Sequence, residues 1–372
     1  MKIEVEKDSL VQSINIADSI ISPKNINVIL SNCLFNIIKD EIEIVSTDND
    51  IGIRTRLQAS SDSEDSFIAN GSMLSGIIKE LPKGLVELDI DDSYLIKIKT
   101  KSKEINANSK LIGASAENFP EIPIFYEDNA FEIDQSVMKE MIKKVIYASA
   151  TDQLSPVLNG IQITSDSLNS ITMVGTDSRR LAIITKDVDN ELSTESDIII
   201  PLKAANELYR ILGSKGKCKF VYKNNQYFFK VDETEIISRV VDGQFPNWKQ
   251  VVPVEYKINV SIETDRLLNS IKRAIFFTKE PAYKIYMNFN KNSLIIEARA
   301  SDLGEFIEEI PIESNSDEEI SLGINAQFVM DSIKEIDSSI TSLGVTGEMS
   351  PVTFTPDNDK NYMSIIMPLH KK

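Results

Sequence analysis

The first candidates for chemistry are short acids that recur at strand ends. Asp48 and Asp50 sit in a TDND run, and Asp177 and Asp302 fall at equivalent places in TDSRRL and SDLG. Paired carboxylates can bind Mg²⁺ or act as acid and base. Short acids at strand ends more often accept hydrogen bonds from turn amides, and recurrence at three places favours that structural role. His370 is the single histidine and lies at the extreme terminus, so no histidine-based triad or metal cluster can be assembled. Cys33 and Cys218 fall in different repeats, away from any cluster of His or Cys. They fit neither a disulfide framework nor a zinc site and read as buried small apolar groups. No Gly-rich phosphate loop is present. The expectation is a chain that is no enzyme and takes no metal or cofactor; a carboxylate-dependent hydrolase using Asp48 or Asp177 is the catalytic alternative.

A unit that occurs three times positions these acids. Val5, Leu10, Ile14 and Ala17 line up with Ile133, Met138, Ile142 and Val145 at a constant offset of 128, and a further 129 reaches Ile262, Leu267, Ile271 and Ala274. That period is the size of a whole domain, so it predicts three linked domains, not a solenoid. The boundaries read as 1–125, 126–253 and 254–372, and 372 residues suffice for three cores. Each repeat has two similar halves. A short alternating strand (Ile3 and Val5; Phe131 and Ile133; Val260 and Ile262) enters a helix with apolar residues at i, i+4 and i+7. Hairpin-rich strands follow and end at Thr47-Asp48, Thr176-Asp177 or Ser301-Asp302. A second strand then leads to a helix near 72–80, 202–212 or 325–336, with a closing hairpin beyond it. The fold class is α+β, three similar domains with two helices and roughly eight strands each, both helices packed on one side of antiparallel sheets.

A net charge of −17 would ordinarily argue against nucleic acid, because phosphate binding is driven by Lys and Arg. The placement of the acids changes that. Acidic, Ser-rich stretches at 60–66, 187–197 and 313–319 each precede the strand leading into a repeat's second helix and read as equivalent outer loops. The predicted helices of the second and third repeats carry Lys139, Lys143, Lys144, Lys203, Arg210, Arg266, Lys272 and Arg273. Charge is thus sorted by element. No apolar run approaches the roughly 18 residues of a membrane helix, and the first residues carry acids where a signal peptide is apolar. A cytoplasmic location is expected.

Five segments, SPVLNGI (155–161), TDSRRLA (176–182), IIIPLKAANEL (198–208), SRVVDGQFPNW (238–248) and YMSIIMPLH (362–370), together resemble the beta subunit of bacterial DNA polymerase III, the sliding clamp. The resemblance implies the clamp fold in a head-to-tail homodimer, a ring of six domains around duplex DNA. It implies a processivity factor that encircles DNA without sequence preference and tethers the replicative polymerase, the clamp loader and repair proteins through short peptide motifs. Mild charge on the inner helices suits sliding, whereas strong phosphate contacts would brake it. Lys24 matches a basic DNA contact of the family, and the helix cations above are the other DNA-facing candidates.

The family's peptide groove, carried over by motif, is lined by Leu158, Thr176, Ser178, Arg179, Arg180 and Leu181. Pro246, Val251, Pro351, Ile365, Met367, Pro368 and Leu369 complete it. Apolar walls with a polar rim suit a peptide with one or two apolar anchors. Ser178 and Arg179 stand where the family commonly has Gly and then His, and Gln250 where it is often basic. For the interface, two adjacent residues, Phe276 and Phe277, cannot both face one core, so one meets another surface. The expected partner is the edge strand at 101–107, with Ile105 as its apolar contact and Lys101 and Lys103 pairing with Glu305, Glu308 or Glu309. The alternative function is a triplicated peptide-binding scaffold that does not encircle DNA.

Overall fold

The computed structural model describes residues 1–22, 27–100, 108–128, 130–152, 155–167, 169–188, 198–300 and 302–370. The first repeat runs β1 (Lys2–Glu6), α1 (Lys7–Asp18), β2 (Cys33–Ile38), β3 (Glu41–Thr47), β4 (Ile51–Ser61), β5 (Asp65–Ala69), α2 (Gly71–Lys79), β6 (Leu85–Ile90), β7 (Leu95–Thr100), β8 (Asn108–Ile112) and β9 (Ala114–Ser115). The second runs β10 (Phe131–Asp134), α3 (Gln135–Ile146), β11 (Gly160–Ser167), β12 (Ser170–Thr176), β13 (Arg180–Asp187), β14 (Ile198–Pro201), α4 (Leu202–Ile211), β15 (Lys217–Lys223), β16 (Gln226–Val231) and β17 (Thr234–Arg239). The third runs β18 (Ile258–Glu263), α5 (Thr264–Ala274), β19 (Lys284–Phe289), β20 (Ser293–Ala300), β21 (Gly304–Pro311), β22 (Glu313–Ser314), β23 (Ile320–Asn325), α6 (Ala326–Lys334), β24 (Ile340–Val345), β25 (Val352–Pro356) and β26 (Tyr362–Ile366).

The helices form where the apolar spacing places them. Leu10, Ile14 and Ala17 on α1, Met138, Ile142 and Val145 on α3, and Leu267, Ile271 and Ala274 on α5 are all buried. Side-chain caps start α1, α2 and α6. Glu6 accepts from the Ser9 amide, Asn70 from Met73 and Asn325 from Phe328, so a carboxylate or amide oxygen satisfies a first-turn N–H that the helix itself leaves open.

The chain divides into two compact units, 1–139 with 206–240 and 140–205 with 241–372. In the first, a sheet runs β10-β15-β16-β17-β4-β1-β6-β7-β8, with β3, β2, β5 and β9 branching from β4. The second holds β14-β11-β12-β13-β26-β25-β24-β18-β22 and a separate sheet β21-β20-β19-β23. One rule recurs: the last strand of a repeat pairs antiparallel with the third hairpin strand of the repeat before it, β17 on β4 and β26 on β13. The equivalents left over are β8, the last strand of the first repeat apart from the two-residue β9, and β21. Among the described residues each has one strand neighbour, β7 and β20.

The two junctions are built from different chemistry. At β17 on β4, Arg54 bonds Glu235 at 2.9 Å and lies 3.2 Å from Glu43, while Arg56 reaches Glu43 at 3.0 Å. The Arg54 guanidinium also donates to the carbonyls of Ile122 and Pro123, which fastens the linker between repeats. At β26 on β13 the residues in register with Arg54 and Glu235 are Ile183 and Met363. An apolar cluster of Val174, Leu181, Ile199, Phe245 and Ile365 serves there instead.

Glu127, on the same first linker, accepts from Lys219 and Lys230, which hold its carboxyl at about 2 instead of the ordinary 4.5. A depressed carboxylate stabilises the fold above its unfolded pKa, and the contribution fades as pH falls toward the folded value. Glu127→Gln is expected to cost under about 1 kcal/mol at neutral pH, because the pair is exposed. In urea unfolding that deficit shrinks between pH 4.5 and 2; a deficit that ignores pH would contradict the assignment.

Candidate functional site

The recurring acids hold turns. Asp177 Oδ1 accepts from the amides of Arg179 (2.9 Å) and Arg180 (3.0 Å), and Thr176 Oγ1 donates to the Arg180 carbonyl at 2.6 Å. Asp48 does the same for Asp50 and Ile51, with Thr47 donating to the Ile51 carbonyl. Asp302 instead forms an ion pair with Lys279, which lowers its pKa. Among the described residues no group of three or more His, Cys, Asp or Glu is placed to hold a metal ion.

The Asp177 turn projects its residues over a cavity of about 240 Å³ within the second unit. Nine of the thirteen expected groove residues line it: Thr176, Ser178, Arg179, Arg180, Leu181, Pro246, Val251, Ile365 and Met367. Val251 and Met367 remain 43% and 39% exposed, apolar surface on the cavity wall that an occupant would cover. Leu158 is buried and does not line the cavity. Pro351, Pro368 and Leu369 do not line it either; the Leu369 amide donates to the Gly323 carbonyl at 2.7 Å, which ties the terminal segment to β23.

Two lining residues escaped the sequence reading, Asn247 and Trp248. Trp248 is the one tryptophan of the chain, standing two residues after Pro246 in a polar stretch, and that was the available signal. Its Nε1 donates to Gln162 Oε1 at 2.9 Å, which fixes the indole plane. Arg180 is a wall rather than a free charge. It bonds Asp177 at 3.0 Å and Asp331 at 2.7 Å, and it stacks over the Phe328 ring at 4.4 Å.

Several cations expected to face DNA are engaged within the chain. Lys144 requires correction: its side chain is 5% exposed, and its ammonium donates to the Glu335 carbonyl at the end of α6 and to Asp337. Lys139 donates to the Leu212 carbonyl just past α4, and Arg210 to the carbonyls of Asn15 and Ile16 in the last turn of α1. Helix carbonyls with no intrahelical partner attract such donors. Lys143 pairs with Glu335 at 3.3 Å and Arg273 with Glu308 at 2.6 Å. Arg266 and Lys272 are exposed on α5, and Lys203 is exposed on α4. Lys24 lies outside the described residues.

Of the interface candidates, Phe276 is 77% exposed, whereas Phe277 stacks on Phe306 with ring centroids 6.0 Å apart. One of the pair does face outward, and it is Phe276. Glu308 accepts from Arg273 and Ser270 inside the third repeat. Glu305 lies 3.8 Å from Arg299 and stays exposed. Lys101, Lys103 and Ile105 lie outside the described residues.

Models of the DNA polymerase III beta subunit match this chain in three parts: the N-terminal domain over residues 1–123, the central domain over 132–247 and the C-terminal domain over 249–370. The beta sliding clamp of Halalkalibacterium halodurans is 26% identical over 383 residues, with 99% of each chain covered. Among solved structures, a DNA polymerase sliding clamp from Bacillus subtilis is similar at TM-score 0.92 and 24% identity, and a DNA polymerase III beta subunit from Thermotoga maritima at 0.92 and 25%, each with both chains fully covered. Matched along nearly its whole length, the chain belongs to the DNA polymerase III beta subunit family.

Proposed function

We propose that this protein is a DNA sliding clamp, a non-catalytic processivity factor built of domains 1–125, 126–253 and 254–372. The observation that carries the reading is the repeated strand junction. β17 completes β4 and β26 completes β13, so the rule is satisfied twice within one chain and leaves β8 and β21 to satisfy it a third time with another copy. Two chains joined head to tail through both such pairs close on themselves, which turns a heterologous contact into a ring and not a filament. Duplex DNA passes through it and is held by enclosure. The engagement of Lys139, Lys144, Arg210 and Arg273 within the chain supports a light grip, because a paired cation releases few counterions from DNA.

The cavity below the Asp177 turn takes short peptides of the replicative polymerase, the clamp loader and repair proteins, with Leu158, Pro351, Pro368 and Leu369 at its margins. The protein works in the cytoplasm; no described helix is long and apolar enough to cross a membrane. Two measurements test this reading. Sedimentation gives a particle of twice 41.7 kDa, and a stable single chain at micromolar concentration would refute the ring. Titration with an apolar peptide shifts the emission of Trp248, the sole indole and part of the cavity wall; unchanged emission together with unchanged heat would refute the groove.

A further inference from the structure

Glu335 holds two adjacent lysines of the repeat before it, one with its backbone and one with its side chain. It is the C-cap of α6, where a helix leaves carbonyls without an intrahelical partner. The Lys144 ammonium donates to the Glu335 carbonyl and to Asp337, and with 5% of its side chain exposed it is committed to the fold. Lys143 is different. Its side chain is 44% exposed in the last turn of α3, and its ammonium lies 3.3 Å from Glu335 Oε2.

The Glu335 carboxylate occupies an unfavourable place. Its side chain is 17% exposed, and Oε2 is buried with no hydrogen bond among the described residues, so the ammonium of Lys143 is what offsets its burial. The helix position does not demand this arrangement. By the repeat offsets Lys143 corresponds to Asn15 in the first repeat and to Lys272 in the third. Asn15 carries no charge, and Lys272 is exposed on α5 with no ion pair among the described residues. What the carboxylate supplies at this one place is the cancelling of a charge on an outward-facing helix.

From this we infer that Glu335 sets how firmly the protein grips DNA: its carboxylate stands in for a phosphate at Lys143 and keeps that lysine from engaging the DNA backbone. The inference rests on the clamp reading above. A lysine neutralised within the chain displaces few counterions when DNA comes near, so sliding meets less drag. Glu335 acts through Lys143 and is a positioning residue that does not itself touch DNA.

The test compares the wild-type protein, Glu335→Gln and the double variant Lys143→Gln with Glu335→Gln. Each is labelled, assembled by its loader on stretched duplex DNA with blocked ends, and followed as it diffuses at about 200 and about 50 mM salt. Glutamine keeps the shape, and the Glu335 carbonyl that holds Lys144 stays in place. Each phosphate contact steepens log K against log salt by about 0.9, so at the lower salt Glu335→Gln is expected to fall behind the wild type by roughly threefold for one freed lysine per ring and roughly tenfold for two. The double variant moves like the wild type. Equal diffusion of Glu335→Gln and wild type at low salt, or slowing that persists in the double variant, overturns the inference and leaves the clamp standing. A wild-type protein that is not retained between the blocked ends overturns the clamp reading, and this inference with it.

Discussion

Asp in place of Phe276 turns a two-chain particle into single chains. Phe276 is 77% exposed just past α5, and the neighbouring strand β21 adds Ile307, with Leu303 in the turn before it, 54% and 48% exposed. An apolar patch beside a strand edge with no neighbour among the described residues is a surface made for a partner. In the proposed ring the complementary edge is β8, whose Ile112 is 81% exposed and whose Lys110 is opposite in charge to Glu305 and Glu309 of β21. A large aromatic at the centre of such a contact commonly contributes about 2–4 kcal/mol, and a buried carboxylate in its place adds a desolvation cost. Dissociation is therefore expected to strengthen by two to three orders of magnitude, roughly. Sedimentation at micromolar concentration reads this directly. Phe277→Ala acts differently, loosening the packing on Phe306 and lowering stability while the pair of chains persists. An unaltered dimer in Phe276→Asp would contradict the assignment.

The second large effect falls on stability. Glu235→Met is expected to cost about 3 kcal/mol, since it strips a buried guanidinium of its closest partner. Glu235 is 6% exposed, bonds Arg54 at 2.9 Å, and accepts from the Phe125 amide at 3.3 Å. The double change Arg54→Ile with Glu235→Met installs the pair that the other junction already uses, Ile183 against Met363, and it restores more than half of the loss. Two buried charges removed together leave neither ion without its counter-ion, and the part of the loss that persists comes from the Ile122 and Pro123 carbonyls and the Phe125 amide, which lose their partners. Denaturant unfolding of the two single variants and the double variant gives the coupling, and losses that simply add would show that the cluster is no unit.

The halves of the fold that depend on spacing were legible in the sequence. Leu10, Ile14 and Ala17, with their two sets of equivalents, marked the first helix of every repeat, and all nine are buried. The groove was legible where one motif carries it, because Thr176 to Leu181 form a single turn and strand start. What failed depends on where a long side chain ends. Nothing local to Lys144 or Arg210 shows that each will find a helix terminus about 190 residues away in the chain. The Arg54–Glu235 pair is hidden for the same reason, its members 181 residues apart. Phe276 and Phe277 could be read as a pair with opposite duties, but their burial depends on Phe306 of another strand.

Retention on circular against cut DNA decides the account. Assembled by its loader on a nicked plasmid, the protein stays bound through a rise in salt that strips phosphate contacts, and it leaves when a single cut gives the DNA ends. Equal retention on the intact and the linear plasmid, or loss from the circle in step with salt, would mean that contacts and not enclosure hold it.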